Sequence, residues 1–478
     1  MIINDLNQIR NKKFKVIIIG SGLASFSSAL KLEKSGIEVL ILEAGKLEFD
    51  DSSNKFLKVE SIGDHNGDFT GNRVRQFGGS SKIWGGNCNP MNSENFYDWP
   101  IKKEDLDQYT LEAKKFLLLK KNFFQEKINE NLNIYNLAWS KLRVNENNYN
   151  YIKDSKFIHL SLDSTFLNFE SSNPHTQVEF INCKKKNKIF QLKANFFILA
   201  AGGLENSRLL LLSKKVNQDL FNSSLPIGQY YMHHPFFSIG RGFINYKKLK
   251  KYFEDNHVKN TPIITCDSHI YIEASGLFIK KKKITNSGIY LSFENANENN
   301  DLFKQLRCFA PKLVKEIYDQ IKSKEIYEIN ISTLQEQNPI KSNYISLSEN
   351  LDPNGLPLAR LFWKKQDSEI NSCRAILDEL GKLFVSENLG RIVTEEYLFD
   401  KSIKYEFTSG NHQMGGTRMG INYEDSVVDK NLKVHGIKNL FVAGSSVFRT
   451  SGHCHPTFTI VQLSLRLADD IIRYTNST

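Results

Sequence analysis

The chain has 478 residues, of which 40% are hydrophobic and 24% are charged. These fractions are typical of a globular protein with roughly two or three domain-sized units, and they exclude a disordered, collagen-like or coiled-coil chain. The net charge of +10 comes mainly from scattered lysines, so we interpret it as codon bias and expect no nucleic-acid partner. The apolar runs are far shorter than the ~20 residues of a membrane span, so none is expected.

The cysteines and the N-terminal segment bear on the cellular compartment. The six cysteines show no CxxC spacing, which argues against a zinc site or a disulfide framework. Residues 1–14 are polar and lack the apolar core of a secretory signal, so the sequence predicts a cytoplasmic location.

A strand–turn–helix–strand pattern comes first along the chain. Phe14–Ile19 is a β-rich apolar run, Leu23–Ser35 has helical periodicity, and Glu38–Leu42 is a second short apolar run. This order within about 30 residues is typical of the βαβ unit of a dinucleotide-binding fold.

The turn of this unit, Gly20 to Ser25, has the GxGxx spacing with a serine in the third small-residue position. The first glycine permits a tight turn, and Gly22 lets the backbone approach a pyrophosphate at the helix N-terminus. Glu43 ends the second strand, where a carboxylate binds ribose hydroxyls. The pattern predicts a dinucleotide site but does not separate FAD from NAD.

The middle of the chain carries further elements of both kinds. A glycine-dense block, Gly78–Asn87, precedes a predicted helix over Glu104–Lys120, and residues 155–199 alternate like strands before a helix over Leu204–Ser213. From about residue 226 to 410 strand-like segments are interspersed with helical ones, and we predict a second domain with an antiparallel sheet. Its predicted strands are Gly276–Ile279, Ile289–Ser292, Tyr344–Leu347 and Leu358–Trp363, and its predicted helices are Lys304–Ser323 and Ser368–Glu387.

The last 70 residues return to glycine-rich turns, with a strand over Leu440–Ala443 and a closing helix over Thr457–Tyr474. Pro456 suits the first position of that helix, which makes His455 the expected N-cap. The free amides of such a helix end would favour an anionic group.

Taken together, these blocks resemble the glucose–methanol–choline (GMC) oxidoreductases, which bind FAD. The resemblance rests on Gly20–Gly45, Gly78–Asn87, Asp98-Trp99-Pro100-Ile101, Leu199–Leu212 and His412–Ala468. The stretch His412-Gln413-Met414-Gly415 is similar to bacterial sugar-oxidising members and pyranose oxidases. The family fold implies an α/β FAD-binding domain with a Rossmann-like βαβ unit, built from residues 1–95, 155–225 and 411–478. It also implies an α+β substrate-binding domain with an antiparallel sheet, built from residues 96–154 and 226–410.

The resemblance also implies which residues meet the cofactor. Some family members attach FAD covalently through a histidine one residue before the block's tryptophan, but this chain has Ile83 there, so FAD is expected to be non-covalent. Phe166 aligns with a position whose backbone contacts adenine, although apolar packing is an equally good role for its side chain. The implied cofactor-binding residues are Gly20, Ser21, Gly22, Leu23, Ala24, Glu43, Ala44, Arg75, Gly79, Ser80, Trp84, Gly86, Asn87, Phe166, Ala201, Gly444, Ser445, Pro456 and Thr457.

Two histidines are the candidate catalytic residues. Alcohol oxidation needs a base for the hydroxyl proton, and imidazole is suited to that near neutral pH. The family places a histidine at the position of His412 and a histidine or asparagine at that of His455, so we expect His412 as base and His455 as its partner. No metal is expected, because the pair His453 and His455 has no evident third ligand. His233 and His234 either border the active site or cap a loop, and Arg449 stands where relatives have proline.

The implied activity is FAD-dependent oxidation of CH–OH to C=O on a sugar, a cyclitol or an aminoglycoside-like polyol, with the hydride passing to the flavin. The electron acceptor stays open among oxygen, a quinone and a redox protein. Alternatives within the family are a lyase or a light-driven decarboxylase, and outside catalysis a flavin-binding protein that has lost activity.

Overall fold

The computed structural model describes residues 1–64, 69–172, 176–260, 269–295, 310–322, 326–403 and 408–476. Its strands, in chain order, are β1 Lys13–Ile19, β2 Val39–Leu42, β3 Val59–Gly63, β4 Asn87–Cys88, β5 Gln125–Lys127, β6 Leu132–Tyr135, β7 Ala138–Trp139, β8 Ile158–Ser161, β9 Thr165–Glu170, β10 Phe180–Lys185, β11 Lys188–Leu199, β12 Pro235–Asn245, β13 His269–Ala274, β14 Ser287–Asn295, β15 Ile326–Gln335, β16 Tyr344–Leu351, β17 Pro357–Trp363, β18 Gly390–Thr394, β19 Thr408–Ser409 and β20 Leu440–Val442. Its helices are α1 Leu23–Lys34, α2 Asp51–Asn54, α3 Glu104–Asp107, α4 Thr110–Phe116, α5 Val144–Asp154, α6 Glu205–Val216, α7 Tyr246–Asp255, α8 Gly276–Lys282, α9 Pro311–Lys322, α10 Asp367–Ser386 and α11 Thr457–Asn476.

A mixed sheet carries the N-terminal unit, in the strand order β8-β2-β1-β11-β10-β9 with β20 beside β11. Strands β8, β2, β1, β11 and β20 run parallel, whereas β10 and β9 are antiparallel. Strand β1 is rich in valine and isoleucine, and its last four residues are all buried, as expected of a strand covered on both faces. The predicted strand–turn–helix–strand order is therefore observed, with bounds that differ by one residue.

A second, antiparallel sheet has the strand order β18-β12-β15-β14-β13-β6-β5, with β19 beside β12. It packs on helix α10, and their apolar side chains form a separate hydrophobic cluster that includes Ile331, Ile376 and Leu380. Helix α10 begins at a capping box formed by Gln366 and Glu369. The predicted antiparallel sheet in the second half of the chain is therefore observed.

One predicted element of this half is wrong, and two predicted strands are observed but belong to a different sheet. Gly276–Ile279 was expected as a strand but is the start of helix α8, because the Ser275 side chain caps the helix by accepting from the Phe278 N–H at 3.2 Å. Strands β16 and β17 were expected in the large antiparallel sheet. They instead pair with each other and then with β3, which runs parallel to β17.

The predicted helix over Glu104–Lys120 is broken into α3 and α4. The Gln462 side-chain amide donates to the Leu106 carbonyl at 3.0 Å and to Thr110 Oγ1 at 3.2 Å, so helix α11 satisfies the polar groups at the break. Of the predicted helix Lys304–Ser323, the described part is α9, while residues 304–309 and 323 lie outside the described residues. Among the described residues, every helix falls short of the length and apolar character that a membrane-spanning segment requires.

Candidate active site

A cavity of about 720 Å³ lies between the carboxyl ends of the parallel strands and the antiparallel sheet. Its volume is within the range of small-molecule and cofactor sites. It is lined by all the candidate cofactor-binding and catalytic residues, namely Gly20, Ser21, Gly22, Leu23, Ala24, Glu43, Ala44, Arg75, Gly79, Ser80, Trp84, Gly86, Asn87, Phe166, Ala201, Gly444, Ser445, Pro456, Thr457, His412 and His455. These residues come from distant parts of the chain, and the fold brings them to one space.

One end of the cavity is organised around the buried carboxylate of Glu43. Ser21 Oγ donates to one Glu43 oxygen at 2.5 Å, and the Gly45 N–H donates to the other at 2.7 Å. Ser21 Oγ also accepts from the Gly78 N–H at 2.9 Å, so it joins the first glycine turn to the second glycine block. Burial raises the pKa of Glu43, and these hydrogen bonds oppose that shift. An ionised carboxylate can accept about four hydrogen bonds, so Glu43 keeps acceptor capacity for a hydroxyl of a ligand.

The first glycine turn shows why small residues are needed here. Gly20 has φ +99°, and a Cβ at this position would stand 2.4 Å from the Ala200 carbonyl oxygen on the neighbouring strand. Gly22 has no such neighbour, because a Cβ there would meet nothing within 4 Å. The space beside Gly22 adjoins the start of helix α1, where backbone amides point outward. A carboxylate at one end and open space at a helix N-terminus fit a nucleotide with its pyrophosphate.

Buried Asn206 fixes the crossover loop after β11. Its side-chain oxygen accepts from the Ala201 N–H at 2.8 Å, and its amide donates to the Ala443 carbonyl and to Ser446 Oγ, both at 2.9 Å. The turns after β11 and β20 are thereby held side by side, which explains why Ala201 and Gly444 line the same cavity although they are far apart in sequence.

The glycine-dense block forms another wall. Trp84 donates its indole N–H to the Leu142 carbonyl at 3.0 Å, and Trp139 donates to the Gly85 carbonyl at 2.7 Å, so both tryptophans hold this loop in place. Ile83, at the position of the attachment histidine of some relatives, lines the cavity and is 49% exposed.

The C-terminal helix begins at Thr457, as predicted, but His455 is not its N-cap. The Pro456 carbonyl accepts from the Ile460 N–H at 2.9 Å, so Pro456 rather than His455 is the first intrahelical acceptor. The His455 N–H instead donates to Asn89 Oδ1 at 3.0 Å, because the glycine-dense block runs beside this turn. Both Pro456 and Thr457 line the cavity.

The opposite end of the cavity from Glu43 holds a cluster of histidines. The rings of His412 and His455 lie 5.1 Å apart between centroids, at 73° to each other. His412 Nδ1 is 2.9 Å from Nδ1 of His234, whose Nε2 is 3.3 Å from the Ser451 carbonyl oxygen. His234 therefore lies beside the two candidate catalytic histidines. Of the two alternatives that the sequence left open for His234, this contact favours a place at the border of the site over a loop cap.

Burial lowers the pKa of every ring in this cluster. Burial and the neighbouring imidazoles hold the pKa of His412 well below its usual range. Burial also lowers the pKa of His234 to about 3 and, together with His453, that of His455 to about 4. The three imidazoles are therefore neutral at physiological pH, which is the form in which a histidine accepts a proton.

His453 behaves differently from its neighbours. Its Nε2 lies 2.9 Å from a carboxylate oxygen of Glu273 on strand β13, and both side chains are buried. Burial opposes the charged ring, yet contacts with Cys454 and Glu273 raise the pKa of His453 well above its usual range. His453 thus forms an ion pair with Glu273 of the antiparallel sheet. The described residues contain no group of three potential metal ligands.

Arg449 pairs with Asp98 at 2.7 Å and with Asp425 at 2.8 Å, away from the cavity lining.

Several lining residues were missed by the sequence reasoning. At the histidine end these are Phe236, Tyr290 and Leu334, on strands of the antiparallel sheet whose alternate residues Phe237, Ile289 and Leu291 are buried in the core cluster on the other face. At the other end Arg208, in contact with both Glu205 and Asp352, lines the cavity beside Arg73. Arg208 lies within the block Leu199–Leu212 but was not singled out there, whereas the residues of the antiparallel sheet belong to no motif and reach the site through the pairing of remote strands.

Comparison with known proteins adds three findings. Residues 339–464 match the family model described as GMC oxidoreductase. The chain is 26% identical over 317 residues to the fructose dehydrogenase large subunit of Gluconobacter japonicus, an alignment that covers 63% of this chain and 51% of that protein. It is 25% identical over 288 residues to the 2-methyl-1,2-propanediol dehydrogenase of Mycolicibacterium austroafricanum, covering 59% of this chain and 49% of that protein. The chain thus aligns with about half the length of these relatives.

A solved structure with a similar fold is that of a pyridoxine 4-oxidase from Mesorbium loti. Its TM-score is 0.58 at 13% sequence identity, and the alignment covers 96% of this chain and 99% of that one. At this identity the likeness concerns the fold alone. The resemblance to the GMC oxidoreductases that the sequence indicates is confirmed by these findings together, as is the combination of an α/β part with an antiparallel sheet.

Proposed function

We propose that this protein is an FAD-dependent oxidoreductase that converts an alcohol, CH–OH, into a carbonyl, C=O. The observation that carries the proposal is the adjacent pair of imidazoles, His412 and His455, in a cavity that is also lined by Glu43 and a glycine turn. A base and a nucleotide-binding turn in one enclosed space are what a flavin-dependent alcohol oxidation requires.

The residues of the chain would act on the proton of the reaction. When bound, FAD supplies the acceptor for the hydride that leaves the alcohol carbon. His412 takes the hydroxyl proton as the O–H bond breaks, and the C=O bond forms from the electrons left on oxygen. His455, whose ring lies 5.1 Å from that of His412, would hold the same oxygen in place by a hydrogen bond. The oxidation balances because the alcohol would lose one proton to His412 and one hydride, with its two electrons, to the acceptor that FAD would supply.

The cofactor would be held without a covalent bond, by the nineteen cofactor-binding residues that the resemblance implies. Ile83 has no nucleophilic atom, which supports a non-covalent complex. We propose that residues 1–95, 155–225 and 411–478 form the FAD-binding domain with a Rossmann-like βαβ unit. Residues 96–154 and 226–410 would form the substrate-binding domain, which the pairing of β6 with β13 supports.

The substrate class we propose is a sugar, a cyclitol or an aminoglycoside-like polyol. The wall near the histidines offers the aromatic rings of Phe236 and Tyr290, and Asn411 and Gln413 line the same end. Aromatic faces beside amide groups suit a ring that has both C–H and hydroxyl surfaces. The name fructose dehydrogenase of one relative agrees with a sugar, and the name of the propanediol dehydrogenase keeps smaller diols in the panel to be tested.

The decisive experiment is anaerobic reduction of the purified holoenzyme. A panel of sugars, cyclitols, aminoglycosides and small diols is added, and the visible band of oxidised flavin is followed. We expect at least one polyol to bleach the band, and oxygen, a quinone or a redox protein to restore it. A holoenzyme that no alcohol reduces, but that cleaves or decarboxylates a substrate without net flavin reduction, would replace oxidation by the lyase or decarboxylase alternative.

Two measurements on the same preparation test the cofactor. Denaturation in acid should release intact FAD into solution, because no residue at the site forms a bond to it. Flavin that stays with the precipitated protein contradicts the non-covalent proposal, and release of NAD instead contradicts the cofactor itself.

A further inference from the structure

Three groups from separate segments form a hydrogen-bonded series at the histidine end of the cavity. The Ser451 carbonyl oxygen lies 3.3 Å from His234 Nε2, and His234 Nδ1 lies 2.9 Å from His412 Nδ1. His234 is completely buried, whereas His412 is partly exposed and lines the cavity. The series therefore runs from a fixed backbone group to the ring that faces the ligand space.

The series determines which nitrogen of each ring carries a proton. A carbonyl oxygen can only accept a hydrogen bond, so Nε2 of His234 must be the protonated nitrogen. A neutral imidazole has one donor and one acceptor nitrogen, so Nδ1 of His234 is an acceptor. His412 must then donate from Nδ1, and its Nε2 is left as the unprotonated nitrogen.

The backbone holds these groups in register. Met232 and Met414 form an antiparallel bridge, with N–H to carbonyl distances of 2.8 and 3.0 Å, and the Gly410 N–H donates to the His234 carbonyl at 2.8 Å. The segments that carry His234 and His412 are therefore paired strands. Ser451 is fixed as well, since its Oγ accepts from the Gln337 N–H at 3.0 Å.

We propose that His234 is a positioning residue that holds His412 in the Nδ1–H tautomer and so directs the basic Nε2 toward the substrate. The inference rests on the proposed function in one respect only, namely that the proton which Nε2 of His412 accepts comes from the alcohol substrate. His234 itself does not touch the substrate oxygen in this assignment, because both of its nitrogens are engaged by the protein.

The first test reads the tautomer directly and needs no substrate. Holoenzyme labelled with ¹⁵N-histidine is studied by long-range ¹H–¹⁵N correlation, in which the coupling pattern separates Nδ1 from Nε2. The His412 signals are those absent from the His412→Gln variant. We expect a protonated Nδ1 and an unprotonated Nε2 in the wild type. A wild-type ring with its proton on Nε2 would overturn the proposal.

Two variants at residue 234 sharpen this reading. His234→Asn keeps an acceptor oxygen near the position of Nδ1 and should preserve the tautomer of His412. His234→Leu removes the acceptor, so the His412 ring should distribute between the two tautomers. If the His412 spectrum of His234→Leu equals that of the wild type, His234 does not fix the tautomer. If the leucine variant fails to fold, the wild-type spectrum and the asparagine variant still decide.

The second test follows flavin reduction by the alcohol identified for the wild type. In His234→Leu the limiting rate of reduction should fall by about 10- to 100-fold, less than on loss of the base itself, with the alcohol Kd and the FAD content unchanged. His234→Asn should recover most of that rate. An equal fall in both variants, or a change in alcohol Kd alone, assigns His234 to packing. A wild type that no alcohol reduces removes the proposed function, while the spectra still decide the tautomer.

Discussion

The two ends of the cavity are built by different means. The nucleotide end, made of Gly20, Ser21, Glu43 and Gly78, is joined by short hydrogen bonds in which every polar side-chain group has a partner in the protein. The histidine end, made of His234, His412 and His455, buries imidazole rings instead. Among the described residues, Nδ1 of His455 is buried without a hydrogen-bond partner.

This difference indicates that the nucleotide end binds the cofactor, whereas the histidine end takes part in the reaction. Satisfied hydrogen bonds and a bare backbone make a rigid surface against which a ligand can lie. A buried and unpaired ring nitrogen costs folding free energy, and it persists where the surrounding structure leaves it no alternative. We therefore expect changes at the nucleotide end to alter cofactor binding, and changes at the histidine end to alter the rate of reaction.

The largest effect is expected at the histidine end. In His412→Ala the rate of flavin reduction by the alcohol should fall by about 10²–10⁴-fold, which is the usual contribution of a positioned acid–base group. FAD content should stay at the wild-type level, because the glycine-rich blocks and Glu43 are expected to hold the cofactor. Stopped-flow absorbance under anaerobic conditions measures the rate, and the exposed His257 supplies a control in His257→Asn. Near wild-type reduction by His412→Ala would mean that another group is the base.

The second effect is expected at the nucleotide end. Removing a hydrogen bond to a charged group costs about 1.5–3 kcal/mol, so Glu43→Ala should weaken FAD binding by roughly 10- to 100-fold. The limiting rate of reduction in the FAD-saturated variant should stay close to that of the wild type. Equilibrium titration of the apoprotein with FAD measures the loss, and Glu104→Ala, at an exposed helical position, is the matched control. Unchanged affinity would place the ribose elsewhere.

The two ends also differ in how much of their structure can be predicted from the sequence. The nucleotide end follows from local signals, since Gly20, Gly22 and Glu43 lie within one βαβ unit. The contact between His234 and His412 joins residues 178 positions apart, and that between His234 and Ser451 joins residues 217 apart. Such contacts depend on strand pairing that no local pattern determines.

The wrong assignments in the second half of the chain have two different causes. Strands β16 and β17 have a clear turn between them, in which Asp352 Oδ1 accepts from the Asn354 N–H at 2.8 Å. Their own sequence predicts the hairpin but not its neighbour β3, which comes from residues 59–63. In Gly276–Ile279 the apolar pattern indicates a strand, and only the Ser275 cap signals the helix.

A third prediction compares two glycines within the nucleotide end. Gly20→Ala places a Cβ 2.4 Å from the Ala200 oxygen at a φ of +99°, so the apoprotein should lose about 2–3 kcal/mol of unfolding free energy. Gly22→Ala meets no atom within 4 Å and should change that free energy by less than about 0.5 kcal/mol while weakening FAD binding. Denaturant unfolding and FAD titration of both variants measure the two quantities. Equal unfolding free energies of the two variants would show that the turn at Gly20 relaxes to accommodate the added Cβ.

The smallest change in rate is expected for His455→Asn. Relatives carry asparagine at the aligned position, and an amide can still donate to the substrate oxygen, so flavin reduction should slow by no more than about tenfold, whereas His455→Ala should be slower. The same variant should alter the pH dependence of stability. In the folded protein the pKa of His455 is lowered to about 4, whereas an unfolded histidine titrates near 6.5, so the unfolded chain takes up its proton first as the pH falls.

Stability from this residue is therefore complete above about pH 6.5 and is lost as the pH falls toward about 4. Asparagine does not titrate, so the unfolding free energy lost between about pH 7 and pH 5 should be smaller in His455→Asn than in the wild type, by on the order of 1 kcal/mol. Denaturant unfolding at the two pH values measures the difference. His412 and His234 titrate in the same direction and are present in both proteins; burial is the larger cause of their lowered pKa values and His455 the smaller, so most of their effect cancels in the comparison. An equal loss in both proteins would show that His455 ionises in the folded chain as freely as in the unfolded one, and the histidine end would then be less distinct from the nucleotide end than its burial indicates.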